Sequence, residues 1–145
     1  MSLERIREKR FWPWEFIPFI PRDTAQAIYP YIYLPPKTYK ELLDGKGTPR
    51  LQAVLVHEQT HLDRQEVTGP LLWVVRYLLD KRFRYEEELI AIREQMAVLA
   101  AANEELDISA FAQKLSGYIY LRMISYEQAT QDLETMWINA KRSRG

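Results

Sequence analysis

The chain has no cysteine, so neither a disulfide framework nor a thiolate metal site is possible, and any metal must be held by imidazole and carboxylate. It has only two histidines in 145 residues. It also lacks a charge excess: 20 basic against 20 acidic side chains leave no net field to attract nucleic acid or an anionic membrane. No stretch reaches the ~20 apolar residues of a membrane helix. Residues 1–10 are basic, but the next stretch is broken by Pro13, Pro18 and Pro21 and carries Glu15, unlike the apolar core of a signal peptide. The expectation is a soluble, cytoplasmic protein with no nucleic-acid or membrane partner. There is no internal repeat, low-complexity tract or domain linker. An apolar content of 47% over this length suits one domain that buries about two-thirds of its unfolded surface.

What is present is concentrated in one place. Both histidines fall in Val56-His57-Glu58-Gln59-Thr60-His61-Leu62, after the apolar positions Leu51, Val54 and Leu55 that a buried helix needs. Residues four apart are neighbours on one helix face, so the ring nitrogens of His57 and His61 can converge on a single ion. Glu58, one step round, lies too far off that line to ligate easily, yet near enough to take a proton from a water on the metal. Zn²⁺ accepts neutral imidazole nitrogen and anionic oxygen, keeps one position open in a catalytic site, and lowers the pKa of its water to about 7. A carboxylate base beside it then implies hydrolysis of a peptide or amide. Metal binding should fail as His57 and His61 protonate, near ~6.5 for the free imidazole and lower once zinc is bound.

The rest of the chain reads as scaffold. Residues 1–22 begin charged and turn aromatic, with Phe11, Trp12, Trp14, Phe16 and Phe19 among prolines, an arm expected to wrap the body. Over residues 23–36, Ile28, Tyr29, Tyr31, Ile32, Tyr33 and Leu34 imply one or two short strands, which Pro30 restricts to an edge. A helical turn is expected at 37–43 and the motif helix at 50–65. Thr68-Gly69-Pro70 ends that helix, with Thr68 as N-cap of the next and Pro70 in its first turn. Residues 71–79 are apolar almost all round, which predicts a helix buried against several neighbours, followed by a solvated basic cluster of Lys81, Arg82 and Arg84.

The helix expected at 83–102 carries an inward stripe of Tyr85, Leu89, Ile92, Met96 and Leu99. Of three consecutive glutamates only Glu88 falls in it; Glu86 and Glu87 should face outward. An inward carboxylate is costly unless paired or metal-bound, so Glu88 is the expected third ligand. Glu66 is too close along the same straight helix to serve. Further on, a helix at 108–116 is stopped by Gly117. An aromatic connector, Tyr118-Ile119-Tyr120-Leu121, leads to a helix capped by Ser125 with Gln128 in capping-box position, and residues 141–145 should fray. The fold class is mainly α (α+β), with a short β element near the N-terminus.

With both motifs in hand, the chain resembles a very small gluzincin, the zinc-peptidase class in which a His-Glu-x-x-His helix is joined by a glutamate from a later helix. It is most similar to compact single-domain forms, many of them encoded in bacteriophage genomes. The segment from Glu88 to Gln95 is similar to the Glu-rich, Gln-ending helix of such proteins, and that from Thr24 to Leu34 resembles their short edge strand. The resemblance spans roughly residues 23–130. It implies a zincin-like helical core within 23–145, zinc ligands His57, His61 and Glu88, the base Glu58, and a peptide or protein substrate. Ile92 stands where larger gluzincins often carry an aspartate, so a partner for the histidines must come from elsewhere. Arg64 and Val67 stand where a metzincin needs Gly and His. No residue matches the usual oxyanion-steadying Tyr or His, leaving Tyr85, Tyr118 and Tyr120 as candidates by type. Two functions are implied. One is a zinc metallopeptidase; the other is an inactive pseudo-peptidase serving as a binding or assembly factor, for instance of a phage. Turnover that depends on Glu58 and is lost with chelator separates them.

Overall fold

In a computed structural model that describes residues 3–10, 24–117 and 122–144, a 3-10 turn (Leu3–Arg5) leads into strand β1 (Ile6–Glu8). Strands β2 (Gln26–Ile28) and β3 (Tyr31–Leu34) come next. Then come six helices: α1 (Pro36–Leu43), α2 (Pro49–Thr68), α3 (Pro70–Leu79), α4 (Lys81–Ala101), α5 (Ile108–Ser116) and α6 (Tyr126–Arg144). The fold is thus mainly α with a small sheet. The aromatic run 11–22 and the connector 118–121, with Tyr118 and Tyr120, lie outside the described residues.

The sheet order is β1-β3-β2. β3 is its centre, parallel to β1 with Ile6 opposite Ile32, and antiparallel to β2 with Ile28 opposite Tyr31. Pro30 does not make β3 an edge strand, because it sits in the turn between β2 and β3, where its missing N–H interrupts no ladder. β1 arises within the stretch read as a wrapping arm. Ile6, Ile32 and Leu34 bury themselves against Leu51, Leu55 and Leu62 of α2. Gln65, fully buried, pins the hairpin to that helix: its Oε1 accepts from the Tyr29 N–H at 2.8 Å and its Nε2 donates to the Ala27 carbonyl at 3.0 Å.

α2 starts where Thr48 Oγ1 accepts from the Leu51 N–H (3.1 Å) and Pro49 occupies the first turn. It runs through Thr68, so the junction is Gly69, whose φ of 97° suits only glycine, and not Thr68 as cap. α4 packs along α2 on one side. On the other, Tyr85, Ile92, Met96 and Leu99 join Ala112 and Leu115 of α5 and Leu133 and Trp137 of α6 in a second core. Ser125 caps α6 by accepting from the Gln128 N–H (3.2 Å). The Gln128 side chain goes instead to Asp132 (3.0 Å), so only half of a capping box forms. α6 continues to Arg144, which bonds the Ala100 carbonyl (3.0 Å) and Asn103; the expected fraying of 141–144 does not occur.

Two expectations fail around α3. It is not buried all round: Trp73 is its one buried residue, while Leu71 and Leu79 are 79% and 82% exposed. Among the described residues α3 rests chiefly on α2 and α4, and apolar composition does not set how many neighbours a helix finds. Of the basic run, Lys81 and Arg82 are solvated as expected, but Arg84 is not. Asp80 caps α4 by accepting from Arg82 and Phe83 N–H groups, and Arg84, buried at 4%, turns back to the Tyr77 carbonyl at 2.6 Å. Among the described residues no helix is long and apolar enough to cross a membrane.

Replacing Gln65 with Leu removes both bonds to the hairpin and leaves the half-buried Tyr29 N–H and Ala27 carbonyl without them, at up to about 1–3 kcal/mol each. Urea unfolding of Gln65→Leu should show a loss of roughly 2–4 kcal/mol. A change within about 0.5 kcal/mol, as at an ordinary surface position, would contradict the clamp.

Candidate metal centre

His57 and His61, one turn apart on α2, meet Glu88 from α4 at the contact between the two helices. Their Nε2 atoms are 3.2 Å apart, His57 Nε2 is 3.3 Å from Glu88 Oε2, and His61 Nε2 is 3.3 Å from Glu88 Oε1. A tetrahedral ion with bonds of ~2.0–2.1 Å holds its ligand atoms about 3.3 Å from one another, close to the Nε2–Nε2 spacing, and one ligand atom from each of the three residues lies within 4.8 Å of the others. The His-His-Glu group can therefore hold a metal ion, and Glu58 is not part of it. The structure brings together the three residues that the sequence singled out as ligands.

The donor chemistry fits as well. His57 Nδ1 lies 2.9 Å from Gln95 Oε1, an oxygen that can only accept, so Nδ1 carries the proton and Nε2 turns a lone pair toward the triangle. Burial alone would lower the pKa of His61, but the carboxylate of Glu88 outweighs it, helped by Glu58 and Glu87, and raises it to about 9. Glu88 moves the opposite way. Burial disfavours its charge, yet His61 and His57 hold its pKa well below the ordinary 4.5. Metal-free, His61 is thus the cation and Glu88 the anion of a buried pair at neutral pH.

α3 holds this centre from behind. The Tyr77 hydroxyl donates to Glu88 Oε1 at 2.5 Å, and its ring stacks on Trp73 at 4.7 Å. Both rings stand edge-on to His61, at 5.6 Å for Trp73 and 6.4 Å for Tyr77. These contacts orient an imidazole whose buried Nδ1 has no hydrogen-bond partner among the described residues. Glu87 departs from its expected outward position. It is 2% exposed, and takes Trp73 Nε1–H at 3.1 Å and a two-pronged Arg64 at 2.7 and 3.0 Å. Burial opposes its charge, but Arg64 and Trp73 prevail and lower its pKa. Successive residues on a helix diverge by about 100°. Here α2 covers one direction and α3 the next, so both carboxylates are inward. Glu86 is the exposed one, paired with Arg82 at 3.1 Å.

A cleft of about 350 Å³ opens on the other side, with His57, Glu58 and Glu88 in its wall, Thr24 and Pro35 at the sheet side, and Phe111 and Lys114 of α5 opposite. Glu58 is buried at 7%, and no group among the described residues hydrogen-bonds its carboxylate. Tyr85 is not in this wall; it donates to Asp132 of α6 at 2.5 Å, and burial with that carboxylate raises its pKa. Gln95 and Tyr77 are partners that sequence reasoning missed. Gln95 had a signal, since it lies seven residues after Glu88 and so on the same helix stripe. Tyr77 had none, because only the turn at Gly69 brings α3 back over α4.

Glu87→Ala should cost about 2–3 kcal/mol in urea unfolding, through the stranded Trp73 N–H and the lost Arg64 pair; a neutral result would restore the outward position. The pH dependence has a definite sign. His61, raised from 6.5 to about 9, stabilises the metal-free fold fully below pH 6.5, and this is lost as pH rises through about 9. Glu88 contributes above 4.5 and loses its contribution as pH falls through its depressed value. Metal-free melts should therefore weaken between pH 6.5 and 9, while metal affinity rises by up to about tenfold per unit as the displaced proton becomes easier to remove. Calorimetric titration showing affinity flat across this window would contradict the proton assigned to His61. No protein-family description, curated protein or solved structure matches this chain, so its site is known from its own residues and geometry.

Proposed function

We propose that the protein is a zinc-dependent metallopeptidase of gluzincin type that hydrolyses peptide or peptide-like amide bonds. One observation carries the reading: the Glu58 carboxylate stands in the cleft wall with no hydrogen-bond partner among the described residues, beside a His57-His61-Glu88 group that can hold a metal ion. Two imidazoles and a carboxylate at that spacing favour zinc over the all-oxygen cations. When bound, the metal supplies Lewis acidity toward the scissile carbonyl and toward the attacking water.

The chain's own residues do the rest. A Glu58 oxygen accepts the proton of the attacking water and returns it to the leaving amine nitrogen, base and then acid. Gln95 holds His57 in the tautomer that ligates, and Tyr77 fixes the Glu88 carboxylate. The cleft volume falls in the usual range for a binding site, about 300–1,000 Å³, and suits a short extended stretch of substrate.

The test combines elemental analysis with a quenched-fluorescent peptide library. The protein should carry near-stoichiometric zinc and cleave peptides until a chelator is added. Glu58→Gln should keep its zinc and lose about 10²–10⁴-fold in kcat/KM, the usual contribution of a general base. Loss of zinc in that variant would make Glu58 a ligand. Stoichiometric zinc with no turnover of any peptide would favour a metal-stabilised binding or assembly protein.

A further inference from the structure

The outer face of α3 serves neither core nor site. Leu71, Leu72, Val75, Leu78 and Leu79 are between 42% and 82% exposed, and Val67 just before them is 86% exposed. At about 100° per residue the five fall within an arc of roughly 120°, with Trp73 and Tyr77 on the opposite side. Leu72, Val75 and Leu79 have the i, i+3, i+7 spacing of a helix-pairing seam, flanked by Leu71 and Leu78. Taking about 130 Å² for a fully exposed leucine side chain, the five residues present on the order of 400 Å² of apolar surface. That approaches the apolar share, about 65% of ~800 Å², that one protomer gives to a homodimer interface of standard size.

The charges at its two ends say what fits. Glu66 lies on the approach to α3 and Lys81 just beyond its end; both are exposed, and neither has a partner among the described residues. In an antiparallel pairing of α3 with itself, each acidic end meets a basic end. Glu66, Asp80 and Glu86 balance Arg76, Lys81 and Arg82 on or beside the same helix, so the patch has no excess positive charge to draw it to an anionic lipid surface. A two-fold contact also lets the same surface complete itself.

We propose that this face is the interface of a two-fold homodimer, with α3 packed antiparallel against α3 of a second copy and Glu66 of each protomer facing Lys81 of the other. The proposal is independent of the enzymatic reading.

Sedimentation equilibrium of the full chain from about 1 to 100 μM, concentrations matched to micromolar affinities, should show a concentration-dependent dimer. Leu72→Glu combined with Leu79→Glu should be monomeric with an unchanged far-ultraviolet circular dichroism spectrum, since both positions are exposed. Glu66→Lys and Lys81→Glu should each weaken the dimer severalfold, and the two together should restore it. A monomer throughout the range overturns the proposal, as does a dimer that survives Leu72→Glu with Leu79→Glu, or a charge-swapped double variant no better than the singles. A monomer that co-sediments with phosphatidylserine vesicles, and ceases to do so in Leu72→Glu with Leu79→Glu, overturns it in favour of a membrane-facing surface.

Discussion

A buried carboxylate between two imidazoles is the constraint around which this protein is arranged. Glu88 is 3% exposed and His61 5%, and a charge so far from water is tolerable only with a cation beside it. In the metal-free chain that cation is a proton on His61; a divalent ion at the same point satisfies all three donor atoms at once. Either way, α2 and α4 must meet at these residues and in this register.

The neighbouring elements hold that register. The sheet side is fixed by Gln65, one turn beyond His61, through its two bonds to the hairpin backbone. The opposite side is fixed by α3, whose Trp73 and Tyr77 bond Glu87 and Glu88 while flanking His61. Arg64 adds a second ion pair between α2 and α4 one turn along. Polar groups in a core are worth their desolvation only when all are satisfied, and here nearly every one is.

In the site the buried atom without a partner among the described residues is His61 Nδ1. Glu58, next in sequence to His57, lines the cleft, and its carboxylate has no hydrogen-bond partner among the described residues. Its availability is what a proton-transfer group needs, and it is the ground on which hydrolysis is preferred over a purely structural metal.

By itself the sequence determined what local geometry controls. The spacing of His57 and His61 placed both on one helix face, the stripe from Tyr85 to Leu99 singled out Glu88, and Gly117 and Ser125 marked helix ends where they occur. These result from 3.6 residues per turn and from which side chains can cap an open N–H. The tertiary structure alone decided how many neighbours each face would meet. Glu87 is inward because α3 folds back over α4, whereas α3, the more apolar segment, keeps a face exposed because among the described residues it packs chiefly on α2 and α4. Gln95 and Tyr77 became partners of the site for the same reason: periodicity gives the direction of a side chain from its own axis, but what stands there is set by chain segments far away in sequence.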